Sequence, residues 1–379
     1  MKGLEENMKF SCEKNKLLNI INIVQKAVPS KSTVKVMECI KIDASAGGRI
    51  SFTGSNLELY IEYTSECEVS EGGSAAVESK VFGEIVRRMP EGTVNIRIND
   101  ENNVVKISGG RSELSISSSD TREYPEKPQV NGNISFSVKQ RALRDMIRQV
   151  IFAAGVNNAR PVLNGVLFEV KDGRIRTVAL DNARLALRET ETDDDIECKF
   201  IVPQVTLKEI QKLFKDDDSI VNISVSDKHA IFDFGDFTVI ARLIDGEFIN
   251  YSAIVSKARN TIFAELETDV LCDSLERASL LINDDSANKQ NLPVKLLFSN
   301  GILEVNCMTS KGMIHDTVPI KLEGDDIEIG FNYKFLLESL RATEEERVRF
   351  EISGPLSSCF LVSAEEENNY LYIVQPVRL

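Results

Sequence analysis

The sequence predicts an α+β protein built from three tandem copies of one domain, each with antiparallel sheets and two helices on one face. Three observations carry that prediction. A strand running into an amphipathic helix recurs at a fixed spacing; a second strand-helix pair recurs in the back half of each copy; and alternating strands follow every helix.

The first recurrence is 10–28, 136–155 and 263–282, whose anchors Phe10, Phe136 and Phe263 stand about 126 residues apart. Seven positions after each anchor comes an apolar residue, Leu17, Leu143 or Val270. Beyond it the spacing turns helical, as in Leu17, Ile20, Ile21 and Val24, because side chains three and four apart share a helix face. A second landmark, a glycine turn followed by an alternating strand, opens at Gly48, Gly173 and more loosely at Gly301. The third is the strand-helix pair of 77–89, 202–214 and 331–343, followed by two strands such as those from Val94 and Val104 or from Ile220 and Ala230. Within each copy the order β-α-βββ therefore runs twice, giving two helices and about eight strands. The expected domains are 1–130 (with Met1–Asn7 as a short extension), 131–258 and 259–379, with polar, turn-rich linkers near 125–132 and 256–260.

Composition narrows the function. No apolar run approaches the roughly 18 residues of a membrane span, and the first nine residues hold no signal-like apolar core; a soluble cytoplasmic protein is the expectation. The seven cysteines are scattered singly, with no CxxC, and neither of the two histidines, His229 and His315, is near one at a metal-ligand spacing. Reduced thiols without a metal or a disulfide framework are expected. No P-loop, GxSxG or HExxH motif is present, so an enzyme lacks its usual cluster of base, nucleophile and oxyanion donor. The acidic runs from Asp193 and Asp216 read as solvated turns rather than metal ligands. No cofactor is implied.

The net charge of −14 argues against a nucleic-acid partner if taken as a sum. Its distribution argues otherwise. Helix Lys14–Lys26 carries bases and no acid, and Ser79–Met89, Lys139–Phe152 and Val205–Lys215 are each net basic. The helix from Tyr333 is about balanced and only Glu267–Leu281 is acidic, while the remaining acids crowd into loops. Helix propensity of lysine and arginine is one account; a basic, helix-lined surface that attracts phosphates without reading bases is the other. Helices packed roughly 9 Å apart set the scale. Six in a ring leave no hole, whereas twelve enclose about 35 Å axis to axis and roughly 25 Å clear of side chains, enough for a duplex. Two chains suffice, and a closed twofold dimer is the commonest assembly.

Several stretches together resemble one family, the bacterial DNA sliding clamps (beta subunits of the replicative polymerase holoenzyme). They are 52–58, 163–169, 177–187 and 242–248, the helix entries Val202-Pro203 and Phe331-Asn332, and the ending Gln375–Leu379. The resemblance runs from about Met8 to Leu379. It implies a three-domain DNA-clamp chain that closes as a homodimeric ring on double-stranded DNA, is loaded by a clamp loader, and tethers replicative polymerase and other partners carrying short clamp-binding motifs. It further implies a partner-peptide pocket between the second and third domains, formed by Leu163, Leu180, Asp181, Arg184, Leu185, Ile249, Ile254, Ile373, Val374, Pro376, Val377 and Arg378. Taken alone, these aliphatics also read as ordinary core. Family members often carry Gly-His where this chain has Asn182-Ala183, Pro at Ile249, Arg at Ala253 and Met at Gln375, so the pocket's outer contour is expected to differ. Lys31 matches a basic position of the family; helix charge adds Lys80, Arg87, Arg144, Arg148 and Lys212 as DNA contacts. The dimer seam is expected to set Leu114 and Ile116, on an edge strand, against Leu280 and Leu281.

Overall fold

The computed structural model of the chain describes residues 8–45, 47–99, 103–130, 134–256, 260–284, 293–365 and 369–379. The extension Met1–Asn7, the end of the first expected linker (131–132), the centre of the second (257–259) and the acids Glu366 and Glu367 lie outside them.

Six of the helices are the ones the repeat demands. They are α1 (Lys14–Val24), α2 (Ser79–Arg88), α3 (Gln140–Arg148), α4 (Gln204–Gln211), α6 (Thr268–Asp284) and α7 (Tyr333–Ala342). Each follows a strand directly or after one residue: Lys9–Glu13, Gly73–Glu78, Ile134–Lys139, Cys198–Pro203, Ile262–Glu267 and Ile327–Phe331. The starts have local causes. The Glu13 carboxylate accepts from the backbone N–H groups of Asn15 and Lys16 at 2.9 and 2.7 Å, and the Asn332 side chain accepts from Lys334 N at 3.0 Å, each satisfying an otherwise orphaned donor. Helix α1 buries Leu17, Ile20, Ile21 and Val24, the stripe expected from its spacing, and α2 stops just before Pro90.

A seventh helix, the four-residue α5 (Ser252–Val255), was not anticipated. It is too short to show a period. Its signal is Asn250, whose side chain accepts from Ala253 N at 3.2 Å.

The sheets follow the doubled β-α-βββ order but do not stop at the repeat boundaries. The chain forms two compact units, residues 1–140 with 208–243 and residues 141–207 with 244–379. In the first unit, thirteen described strands make one sheet. Its continuity depends on Phe237–Arg242 pairing antiparallel with Leu59–Glu66, with Phe237 opposite Tyr63 and Ala241 opposite Leu59. The rings of Tyr63 and Phe237 stack there at 6.0 Å, as aromatic cross-strand pairs do. In the second unit, Arg184–Glu191 pairs with Tyr370–Val374, carrying the sheet from the second repeat into the third. That sheet has nine described strands, and a four-stranded sheet completes the unit.

In the first unit α1 lies on strand Arg49–Ser55 at Gly54. A Cβ there would stand 2.4 Å from the Val24 carbonyl oxygen, a backbone atom that cannot swing aside. Gly54→Ala should therefore destabilise the chain by about 1–3 kcal/mol through overpacking, measured as a drop in the urea midpoint; an unchanged midpoint would show that the helix end shifts freely.

Candidate peptide and DNA-binding surfaces

The twelve expected pocket residues all belong to the second unit, and six of them meet in one apolar cluster. Leu163, Leu180, Leu185 and Ile373 are buried together with Leu167, Val178, Ile201, Tyr251 and Phe360, while Ile249 and Ile254 are half-buried against them. Each position has a structural cause. Leu180 and Leu185 are direct partners across a hairpin, Leu185 also faces Ile373 across the strand joint, and Leu163 lies in a 3₁₀ turn opened by Pro161. The floor is thus strand residues from two repeats, and the half-buried rim comes from Val162, Phe248, Ile249 and α5. Val162, Phe248, Tyr251 and Phe360 were not singled out from the sequence; nothing local distinguishes them from other core positions.

The polar half of the set is anchored to the same joint. Asp181 Oδ1 accepts from Ala183 N and Arg184 N at 2.8 and 3.1 Å, closing the hairpin turn. Arg184 is held by Asp181 at 3.2 Å and by Glu338, and its guanidinium lies over the rings of Phe335 and Phe152 at 4.5 and 5.5 Å. Gln375 N donates to Ala183 O at 2.8 Å. Val374 is buried, Pro376 and Val377 are half-buried, and Arg378 is exposed. Val377 pairs with Gly330 through an isolated bridge, and a Cβ on Gly330 would lie 2.5 Å from Leu379 Cδ2 and 2.9 Å from Val377 O. The absence of a side chain at Gly330 is what lets the C-terminal segment lie flat.

Tyr251 links this cluster to a polar network centred on a buried carboxylate. Glu169 is 5% exposed on strand Gly165–Lys171 and accepts from the Tyr251 hydroxyl; Lys199 reaches its other oxygen at 2.6 Å and Arg176 stands at 3.7 Å. Burial pushes the carboxyl up, but Lys199, Tyr251 and Arg176 outweigh it and leave Glu169 below the usual range. Tyr251, buried beside that carboxylate, is pushed up to about 12. A charged residue inside the apolar run from Val166 to Val170 was the available signal.

The candidate DNA contacts are placed as follows. Lys31 and Lys80 come together in the first unit: Lys80 Nζ donates to Ser30 O at 3.3 Å, and Glu38 fixes the same loop by accepting from Ser32 N at 2.8 Å. Both lysines are exposed. Arg87 is exposed and bonded to Glu84, and Lys212 is exposed and bonded to Glu209 at 2.7 Å. In the second unit Arg144 and Arg148 are half-buried; Arg144 contacts Asp145 at 3.1 Å and Arg148 contacts Glu344. Helix charge also misleads at one point. Lys14, counted among the bases of the first helix, is 9% exposed and paired with Glu91 at 2.7 Å. Its stem continues the buried face.

For the seam, Leu114 is 42% exposed on strand Ser112–Ser119 and Ile116 is half-buried. That strand pairs with Val104–Gly109 along its length, but with Gly73–Glu78 only at Ser118 and Ser119, leaving the edge from Ser112 to Ser117 open among the described residues. In the second unit Leu280 is 71% exposed near the end of α6, Leu281 is half-buried, and strand Gly312–Pro319 is the edge of the four-stranded sheet.

Among the described residues no group of three His, Cys, Asp or Glu side chains is arranged to hold a metal ion, and no helix is long and apolar enough to cross a membrane.

Three tandem copies of an antiparallel-sheet domain with two helices each define a class, the processivity factors of DNA replication. Models of the N-terminal, central and C-terminal domains of the DNA polymerase III beta subunit match residues 8–128, 137–250 and 257–378. A beta sliding clamp of Halalkalibacterium halodurans is 30% identical over 98% of this chain and 100% of its own length, and that of Bacillus subtilis is 28% identical over the same shares. Among solved structures, a putative DNA polymerase III beta subunit from Eubacterium rectale superposes with a TM-score of 0.92 at 32% identity, over 98% of this chain and 99% of that one. The sliding clamp of Bacillus subtilis gives 0.93 at 26% identity, over 98% and 100%. A third, from Pseudomonas aeruginosa and bound to griselimycin, gives 0.91 at 26% identity, again over 98% and 100%. The chain belongs to the DNA polymerase III beta subunit family, the sliding clamps, whose members are processivity factors rather than enzymes.

Because Glu169 is held below its ordinary value, its contribution to stability is present above the unfolded-state value of about 4.3 and lost as pH falls through the lower folded value. Glu169→Gln should cost about 2 kcal/mol at pH 7 and flatten the acid limb of the stability curve below about pH 5. A parallel acid limb in urea titrations would rule the network out as its source.

Proposed function

We propose that this chain closes with a second copy, head to tail, into a ring around duplex DNA and tethers replication proteins through the apolar cluster at the C-terminal joint. The observation that carries the ring is the pair of open strand edges, Ser112–Ser117 in one unit and Gly312–Pro319 in the other, each beside exposed aliphatic side chains, Leu114 and Leu280. An open edge invites pairing, and joining the two edges across subunits removes both. Leu114 and Ile116 of one chain then pack against Leu280 and Leu281 of the next. The expected domains 1–130, 131–258 and 259–379 are the units of the ring.

Lys31, Lys80, Arg87, Arg144, Arg148 and Lys212 supply phosphate attraction without base readout. Lys31 and Lys80 contribute most, since no carboxylate is bonded to either among the described residues, whereas Glu84, Asp145, Glu209 and Glu344 offset the other four. Retention then comes from topology rather than affinity. Loaded onto nicked circular DNA by a clamp loader, the protein should stay bound through gel filtration in high salt and leave when the circle is cut. Equal loss from both forms would refute encirclement.

The tether is a short extended peptide whose apolar anchors sit on Leu163, Leu180, Leu185, Ile249, Ile254 and Ile373, with Val374, Pro376 and Val377 closing one side and Asp181, Arg184 and Arg378 orienting it. This rests on the half-buried rim above a buried floor. A clamp loader, a replicative polymerase and other proteins bearing such segments are the expected partners. Deleting Val377–Leu379 should weaken binding of a polymerase-derived peptide by about 30-fold or more, the loss of one hot spot, while the dimer mass stays unchanged. Undiminished affinity would move the site elsewhere.

A further inference from the structure

Nothing in the spacing of the seven scattered cysteines pairs any of them, yet the strand register brings two of them together. Strand Lys9–Glu13 runs antiparallel to Glu68–Glu71, with Phe10 opposite Val69 and Ser11 opposite Glu68. Continued one step past the end of strand Glu68–Glu71, that register sets Cys12 opposite Cys67. Residues directly opposed on antiparallel strands have Cα atoms about 4.5–5.5 Å apart, inside the roughly 4.4–6.8 Å that a disulfide spans. Their side chains also leave the same face of the sheet. Both are free thiols, and each acts on the acidity of the other.

We propose that Cys67 and Cys12 form a peroxide-sensitive thiol pair, Cys67 reacting first and Cys12 closing a reversible disulfide that staples the edge strand Glu68–Glu71 to the strand beside it. The two cysteines are unequal in the way such a pair requires. Cys67 is half-buried and within reach of a small oxidant, whereas Cys12 is 5% exposed. Cys12 is the neighbour that lowers Cys67 most, and Lys16, which donates to Glu66 O at 2.7 Å, adds a cation beside it. Together with the nearby Ser65 hydroxyl they outweigh burial and bring Cys67 down to about 7, while Cys67 and burial push Cys12 up. Cys39, Cys198, Cys272, Cys307 and Cys359 are all shifted upward by burial. None of them shares this poise.

The chemistry balances with hydrogen peroxide as the oxidant. The Cys67 thiolate attacks one peroxide oxygen, the O–O bond breaks, and hydroxide leaves to take up the proton that Cys67 had released, giving a sulfenic acid and water. Cys12 sulfur then attacks the sulfenic sulfur, the S–O bond breaks, and the Cys12 proton leaves with that oxygen as a second water. Two thiols lose two electrons and one peroxide gains them.

The test uses the full chain. Brief exposure to dilute hydrogen peroxide should lower the intact mass by two hydrogens, remove two of the seven titratable thiols, and yield one cross-linked peptide pair containing Cys12 and Cys67; dithiothreitol should reverse all three. In the reduced protein Cys67 should be alkylated by iodoacetamide at pH 7 several-fold faster than the other cysteines. Cys12→Ala should slow that alkylation by removing the donor, and Cys12→Ser, which keeps one, should restore it. Oxidation that stops at a sulfinic acid on Cys67, a cross-link joining any other pair, or Cys67 alkylation no faster than that of Cys272 would each overturn the proposal.

Discussion

The interaction on which the rest of this structure depends is antiparallel pairing between strands that belong to different repeats. Each clamp domain has sheet edges, and an edge is a row of unsatisfied backbone donors and acceptors. Phe237–Arg242 against Leu59–Glu66 removes one pair of edges, and Arg184–Glu191 against Tyr370–Val374 removes another. The compact units consequently cut through the middle repeat instead of following it. The candidate peptide site is a by-product of the second joint. Leu185 and Ile373 are neighbours only because the register sets them opposite one another, and Gln375 is tied to Ala183 one step further along. The same logic, applied to the edges still open at Ser112–Ser117 and Gly312–Pro319, leads to the dimer.

Much of the fold was legible because periodicity is a local property. The stripe of Leu17, Ile20, Ile21 and Val24, the turn at Gly48 and the restart at Phe331-Asn332 each declare an element without knowledge of its neighbours, and their recurrence multiplies the signal. The strand joints were not legible in that way. Tyr63 and Phe237 look like any alternating strand residues, and only the folded register makes them a stacked pair. The apolar cluster shows the same limit: Leu163 and Ile249 reached the candidate list through family resemblance, while Val162, Phe248, Tyr251 and Phe360 had no distinguishing pattern. Charge counts carried less than they promised. Lys14 is taken up by a pair with Glu91, and Arg148 by one with Glu344, because a sequence count cannot see which carboxylates fold back onto a helix.

Polar groups beside the apolar cluster set the orientation of the candidate peptide site. Glu169, Tyr251, Lys199 and Arg176 hold the segment leading into α5 against strand Gly165–Lys171, and Asp181 with Glu338 holds Arg184 at the rim. Such networks add less to net stability than to fixing one arrangement, since each member left unpaired would cost a full desolvation penalty. A peptide that docks by apolar contact gains from a rim already in place, because little side-chain ordering remains to be done on binding.

The central claim is that two chains complete a ring with an open centre. The most direct measurement is small-angle X-ray scattering at known concentration, which gives the particle's mass and its distance distribution together. A dimeric ring gives twice the 42.3 kDa chain mass and a distribution depleted at short separations by the central hole. A particle of one chain mass, or a dimer with the smooth single-peaked distribution of a solid body, would contradict it.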